Sequence, residues 1–192
     1  MVNVTIFGKG NMGKAIGDNF VKADNKVSYI GSTDTVGDIG DIVVLAVPYT
    51  AALEIVTKQA DKLADKIVID ITNPLNFETW DELVVPIGSS AAEQLADKVP
   101  GIQIVKGFNT NFAGTLLSKE VGESKITTTV LLASDFDNAK SAIVAALDGS
   151  GLKVIDAGGL KRAHELEAVG FLQMTLAANE NISWTGGFGI IE

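Results

Sequence analysis

Gly8, Gly10 and Gly13 stand at G-x-G-x-x-G spacing directly behind Val2-Asn-Val-Thr-Ile-Phe7, and that spacing restricts the chain to few folds. The residues before the glycines read as a buried parallel strand. Asn11 to Lys22 after them reads as a helix, with Met12, Ile16 and Phe20 on one face. A second strand, Lys26 to Ile30, completes the unit. Gly8 permits a tight turn, Gly10 lets a pyrophosphate approach the backbone, and Gly13 lets the helix pack close to the strand. The helix start then presents free N–H groups and a positive dipole end to phosphates. A glycine turn kept only for packing accounts for Gly13 but not for three glycines in register.

The next apolar run, Asp41 to Val47, follows after ten residues, Gly31 to Gly40, that hold three glycines and no helical pattern. A crossover between parallel strands usually takes a dozen or more residues and a helix. Ten extended residues reach at most about 33 Å. The return along one strand takes roughly 17 Å and the step across two strand spacings about 10 Å. The prediction is therefore a bare loop in place of a helix and strand. The Asp41–Val47 strand then lies beside the first strand, opposite the second. Further on, the pattern predicts helices over Thr50–Leu63, Ala91–Lys98, Asp137–Leu147 and Lys161–Glu180. Strands are predicted over Lys66–Asp70, Gln103–Lys106, Thr127–Ala133 and Lys153–Asp156. Ile71 to Ser90 is a long connection, and Trp184 to Gly189 a glycine-rich tail. The expected fold is α/β and Rossmann-like: a mostly parallel sheet with helices on both faces, its first half shortened between strands two and three, and a long C-terminal helix. One domain is expected over 1–192, with 160–192 as a helical C-terminal appendage.

Composition narrows the function classes. Apolar residues make up 46% of the chain, which excludes disorder. The net charge of −9 disfavours nucleic acid and anionic membranes as partners. Without cysteine there is no disulfide and no thiolate chemistry. The chain enters a strand at once, and no apolar run approaches membrane-spanning length. A soluble cytoplasmic protein acting on a small molecule is expected.

In open parallel sheets the ligand lies beyond the carboxyl ends of the strands. The residues found there are Gly8, Lys9, Gly10, Asn11, Met12 and Gly13; Gly31, Ser32 and Thr33; Ala46, Val47, Pro48 and Tyr49; Thr72, Asn73 and Pro74; and Phe108 and Asn109. Each set also reads as ordinary turn chemistry. An NAD site usually carries an acid at the end of strand two. Here that place reads Ile30-Gly31-Ser32-Thr33, which admits a 2′-phosphate and favours NADP over NAD. Lys9 is either the missing positive charge or a solvated lysine. Asp34, if it points into the site, argues for NAD. Catalytic acids and bases are scarce. His164, the only histidine, stands between charged residues of the last helix and reads as a surface group. Lys161, Arg162, Glu165 and Glu167 read as paired charges on a solvated face. No catalytic residue and no metal ligand is assigned. Hydride transfer between two stacked rings needs neither.

Six stretches occur in order: Ile6–Gly13, Val44–Pro48, Val68–Leu75, Ser89–Glu93, Val105–Thr110 and Gly159–Glu167. As a set they resemble the coenzyme F420-dependent NADP oxidoreductase family, which also looks like the reductase domain of membrane ferric reductases. The resemblance implies a Rossmann fold binding NADP(H), with hydride passed between the nicotinamide and a flavin-like ring. By position, Gly8–Gly13 would hold the pyrophosphate and Ser32-Thr33 the 2′-phosphate. Val47, Pro48 and Asn73 would line the nicotinamide side, and Phe108-Asn109 would edge the ring pocket. The family usually has an arginine after that serine, where Thr33 stands here, and usually has the helix and strand missing between 31 and 40. F420 or a flavin is the implied second substrate, with a quinone or another small oxidant as alternatives. The functional expectation is an NADP(H)-dependent oxidoreductase; the alternative is a non-catalytic NADP(H)-binding sensor. An adenosylmethionine-dependent methyltransferase fits poorly, because its ribose also wants an acid after strand two. The last helix is apolar around more than one face, which points either to cover by the tail and sheet or to a homodimer contact.

Overall fold

The computed structural model describes residues 1–191. Strand β1 (Asn3–Phe7) leads through the glycine turn into helix α1 (Asn11–Lys22) and strand β2 (Lys26–Ile30). There follow β3 (Ile42–Leu45), α2 (Tyr49–Lys58), α3 (Ala60–Leu63), β4 (Ile67–Asp70), α4 (Ala91–Lys98) and β5 (Gln103–Lys106). The chain continues with α5 (Ala113–Ser118), β6 (Thr129–Ala133), α6 (Asp137–Leu147) and β7 (Lys153–Gly158). A 3-10 turn, Leu160–Arg162, opens α7 (Ala163–Ala178).

The sheet runs β2-β1-β3-β4-β5-β6-β7. The central strands are apolar without alternation because both sheet faces are covered. Ile42 and Val44 of β3 join Val4, Ile6, Ile16, Phe20 and Ile143 in a core on one face. Val43 and Leu45 join Val56, Leu63, Leu95 and Ile104 on the other. Helices α1 and α6 thus cover the first face, and α2, α3 and α4 the second.

Residues 31–40 form no helix, and β3 pairs with β1 in parallel, Val4 opposite Ile42, on the side away from β2. The bare crossover is held at several points. Gly40 N–H donates to Thr5 Oγ1 at 2.9 Å, and Lys62 Nζ reaches the carbonyls of Val36 at 2.8 Å and Gly37 at 3.1 Å.

Four features depart from the sequence reading. The helix over Thr50–Leu63 breaks at Gln59 (φ −111°, ψ 17°) into α2 and α3. Helix α5 was not anticipated; six residues are too few for a periodic signal. Strand β6 meets β5 in the antiparallel sense and β7 runs parallel to β6, so the last two strands oppose the first five. Glu167 does not share the solvated face of Arg162 and Glu165: it is buried, while Arg162 and Glu165 pair at 3.0 Å. The reason is spacing, since Ala163, Leu166, Glu167, Gly170, Gln173 and Ala177 form one inward stripe of α7. The tail covers part of the helix, with Phe188 N–H donating to Gln173 Oε1 at 3.2 Å. Val169 and Leu172 remain 38% and 53% exposed. Among the described residues no helix is long and apolar enough to cross a membrane.

Candidate functional site

The glycine turn is built by close backbone approach. Gly8 has φ +113°, and a Cβ there would lie 2.1 Å from Ala46 O. Its N–H donates to Ile30 O at 2.9 Å, while Ala46 N–H donates to Phe7 O at 2.8 Å, so the ends of β1, β2 and β3 are tied together. A Cβ on Gly13 would meet Gly8 O at 2.4 Å; this glycine serves helix packing and lies buried below the turn. Gly10 is different. A Cβ there would meet nothing within 4 Å, and Gly10 caps α1 with no side chain of its own. The space beside it is open, and the first N–H groups of α1 face a place where an anion fits.

Two cavities flank the turn and share Ala46, Val47 and Pro48. The first, of about 710 Å³, is lined by Gly8, Lys9, Gly10, Gly31, Ser32 and Thr33, among others. Asp34 lies in the same wall. Its Oδ2 accepts from Lys9 Nζ at 2.6 Å and from Gly31 N–H at 2.7 Å. Lys9 and the backbone N–H together hold this carboxyl below the usual range. Lys9 is thus a half-exposed cation paired with an acid of the same wall.

The second cavity, of about 660 Å³, collects Asn11, Met12, Tyr49, Thr72, Asn73 and Asn109. Asn109 Nδ2 donates to Asn73 Oδ1 at 2.9 Å and Asn73 Nδ2 donates back to Asn109 O at 2.9 Å. A further bond, from Asn109 Nδ2 to Leu166 O at 2.8 Å, ties this pair to α7. Gly170 makes room for it, because a Cβ there would lie 2.5 Å from Asn73 Oδ1 and 2.9 Å from Asn109 O.

Behind this wall stands a buried ion cluster. Asp70, Lys106 and Glu167 have fully buried side chains. Lys106 Nζ donates to Asp70 Oδ2 at 2.7 Å and to Thr72 O at 2.5 Å, and it lies 2.7 Å from Glu167 Oε1. Thr72 N–H donates to Asp70 Oδ1 at 2.9 Å, and Ala91 N–H at the start of α4 donates to Glu167 Oε2 at 2.9 Å. The cluster thereby fixes the Thr72-Asn73 segment against α4 and α7. Burial pushes the Glu167 carboxyl up, against the pull of Lys106. Burial, then the charges of Glu167 and Asp70, push the Tyr49 phenol up.

Most of the predicted residues converge on the two cavities, and three do not. Phe108 is a core residue at 0% exposure, its ring 6.4 Å from Phe20. Its φ of 60° turns the chain so that the ring points inward and Asn109 points to the cavity. Pro74 and Gly13 line neither cavity; Pro74 O accepts from Val84 N–H at 2.7 Å. The residues missed include Phe77, Asn111, Phe112, Met174 and Trp184 of the second cavity, and the ion cluster behind it. A signal for part of the cluster exists: Asp70 and Lys106 end neighbouring buried strands in register. Phe77, Met174 and Trp184 come from a loop, a late helix and the tail, whose meeting no local pattern encodes.

Strand, glycine turn and helix, with cavities at the carboxyl ends of a mostly parallel sheet, define a Rossmann-like α/β protein. The family described as NADP oxidoreductase, coenzyme F420-dependent, matches residues 30–74. The F420-dependent NADP reductase of Methanothermobacter thermautotrophicus is 30% identical over 181 residues, covering 86% of this chain and 77% of that protein. The F420-dependent NADP reductase of Methanocaldococcus jannaschii is 27% identical over 134 residues, 68% of this chain, and the match spans only 59% of that protein's length. A crystal structure described as a putative F420-dependent NADP-reductase from Arthrobacter sp. FB24 superposes with a TM-score of 0.84 at 19% identity, over the whole of both chains, which shows the shared fold. The chain belongs to the F420-dependent NADP reductase family.

Proposed function

We propose that this chain is an NADP(H)-dependent oxidoreductase that passes a hydride between the nicotinamide and a flavin-like or other small acceptor. One observation carries the reading. Three buried polar atoms have no hydrogen-bond partner among the described residues: Thr72 Oγ1, Asn109 Oδ1 and Asn111 Oδ1. All three residues line the second cavity. Buried polar groups are nearly always paired, so three unpaired atoms on residues of one cavity wall are groups that a bound ligand could satisfy after small side-chain rotations. The nitrogens of both amides are already committed, Asn109 Nδ2 as above and Asn111 Nδ2 to Thr129 O at 2.9 Å. Two acceptors and one hydroxyl are the complement of a primary carboxamide, the group that nicotinamide carries.

When bound, the reduced nicotinamide supplies the hydride. The chain's own residues bind, orient and exclude water. Gly10 and the start of α1 would take the pyrophosphate, Ser32, Thr33 and Lys9 the 2′-phosphate, and Asn109, Asn111 and Thr72 the carboxamide. Gly10→Val tests this with the fold as its control, because the new side chain enters open space. NADPH affinity, read by fluorescence titration, is expected to fall at least about tenfold while the melting temperature stays put. Unchanged affinity would remove the pyrophosphate from this turn.

Asp34 tempers the choice of nucleotide. A 2′-phosphate must draw Lys9 away from the carboxylate, whereas a 2′-hydroxyl can donate to it. Asp34→Asn is therefore expected to raise the NADPH-to-NADH affinity ratio about three- to tenfold. A ratio that falls or stays level would leave Lys9 without a part in phosphate recognition.

The sensor alternative is supported by the scarcity of acid–base groups: Tyr49 is the one ionisable side chain that lines the second cavity. Turnover of NADPH with any acceptor excludes it. We place the protein in the cytoplasm, with a small-molecule substrate, and assign exposed Val169 and Leu172 to a homodimer contact; a monomer by sizing chromatography would remove that contact.

A further inference from the structure

The second cavity carries information on the acceptor. Its walls hold four aromatic rings, Tyr49, Phe77, Phe112 and Trp184, and the thioethers of Met12 and Met174. None of its lining residues is charged at neutral pH. Trp184 is brought in by the tail and stands 4.9 Å from the Phe112 ring, centroid to centroid. Behind Thr72 lies the Asp70–Lys106–Glu167 cluster, two carboxylates against one ammonium. Burial first, and then the charges of Glu167 and Asp70, push the Tyr49 phenol up, so the cluster is felt at the cavity wall. An anion placed here would lose its hydration and find no cation among the lining residues. A flat neutral ring would instead stack on aromatic faces and thioethers. The amide of Asn11, in the same lining, is uncharged and can donate to a carbonyl of such a ring.

Resting on the dinucleotide reading above, we propose that the hydride acceptor is a neutral planar ring of the quinone type, and that rings bearing a phosphate, carboxylate or sulfonate inside the cavity are rejected. The reaction balances without a further reactant. The C4–H bond of the dihydronicotinamide breaks, its hydrogen and electron pair go to the quinone, and one proton from water completes the hydroquinone. The nicotinamide leaves oxidised.

The test has two stages. NADPH binding is first measured by fluorescence titration, with no acceptor present. NADPH oxidation is then followed by absorbance with menadione, with a sulfonated naphthoquinone and with F420, each corrected for its non-enzymatic rate. The sulfonate withdraws electrons and makes the stronger oxidant, so slower turnover reports exclusion and not weaker driving force. The expected result is a kcat/KM at least about tenfold lower for the sulfonated ring than for menadione, with the gap narrowed in Phe77→Lys, which places a cation in the wall. Phe77 is 57% exposed, so the lysine is tolerated by the fold. If NADPH fails to bind, the dinucleotide reading falls and this proposal with it. If NADPH binds but the sulfonated ring or F420 is reduced as fast as menadione, or menadione is not reduced at all, the dinucleotide reading stands and the neutral-acceptor proposal is overturned.

Discussion

Lys106→Met is expected to lower the unfolding free energy by about 3–5 kcal/mol. Methionine fills much of the lysine's volume, so the loss is electrostatic and not a cavity effect. Asp70 and Glu167, both fully buried, would be left facing each other with no cation between them. Thr72 O would lose the Lys106 ammonium as a donor. Proton uptake by one carboxyl would limit the damage, and Glu167 is the candidate, since burial already raises its pKa. The sign is fixed by that shift. A raised folded-state pKa means the protonated form is the better fit, so the variant regains stability as pH falls and loses it as pH rises through the Glu167 value. Urea unfolding at neutral and mildly acidic pH measures both. A shift below about 1 kcal/mol at neutral pH, or no recovery on acidification, would show that the cluster is not an uncompensated charge set once Lys106 is gone. Lys106→Met/Glu167→Gln should recover part of the loss, because a neutral amide replaces one of the two stranded carboxylates.

Gly170→Ala should act on the site more than on the fold. In mid-helix, alanine is favoured over glycine by roughly 0.5–1 kcal/mol. Here the added methyl would lie 2.5 Å from Asn73 Oδ1, 2.8 Å from Asn73 Nδ2 and 2.9 Å from Asn109 O. Such contacts require movement, and overpacking of this kind costs about 1–3 kcal/mol. The clash outweighs the helix gain. The least anchored partner gives way: Asn73, held by Asn109 and a 3.6 Å contact to the Met174 sulfur, moves before the α7 backbone does. A net destabilisation of about 1–2 kcal/mol is expected, together with a loss of hydride transfer of about tenfold or more, since misplacement by a fraction of an ångström is costly. NADPH titration, acceptor turnover and urea unfolding on the same sample separate the two effects. A variant as active as the parent and more stable would show that Gly170 is a plain helical glycine.

Much of the frame was legible in the chain itself. Three glycines at fixed spacing between a strand and a helix allow one kind of turn, and Gly8, at φ +113°, makes it. The ten residues of 31–40 are too few for a covering helix, and chain reach alone set β3 beside β1. Those inferences succeed because backbone sterics and contour length are local quantities.

The walls of the second cavity are a different matter. Phe77, Met174 and Trp184 are far apart in the chain and carry no pattern; only packing brings them together. Charge was misjudged for the same reason. Glu167 sits three residues from His164 and two from Glu165, and in sequence it is one more polar residue of a helix. Its place on the buried stripe, opposite Lys106 from another strand and the first N–H groups of α4, is set by how α7 lies across the sheet. Lys9 is equally ambiguous in sequence, and only the fold sets Asp34 Oδ2 2.6 Å from its ammonium. The sequence by itself determined the turn and the strand order around it, because these follow from spacing. Which side chains line the two cavities and which charges are buried and paired were decided only by the tertiary structure, because they are sums over residues that the chain does not place near one another.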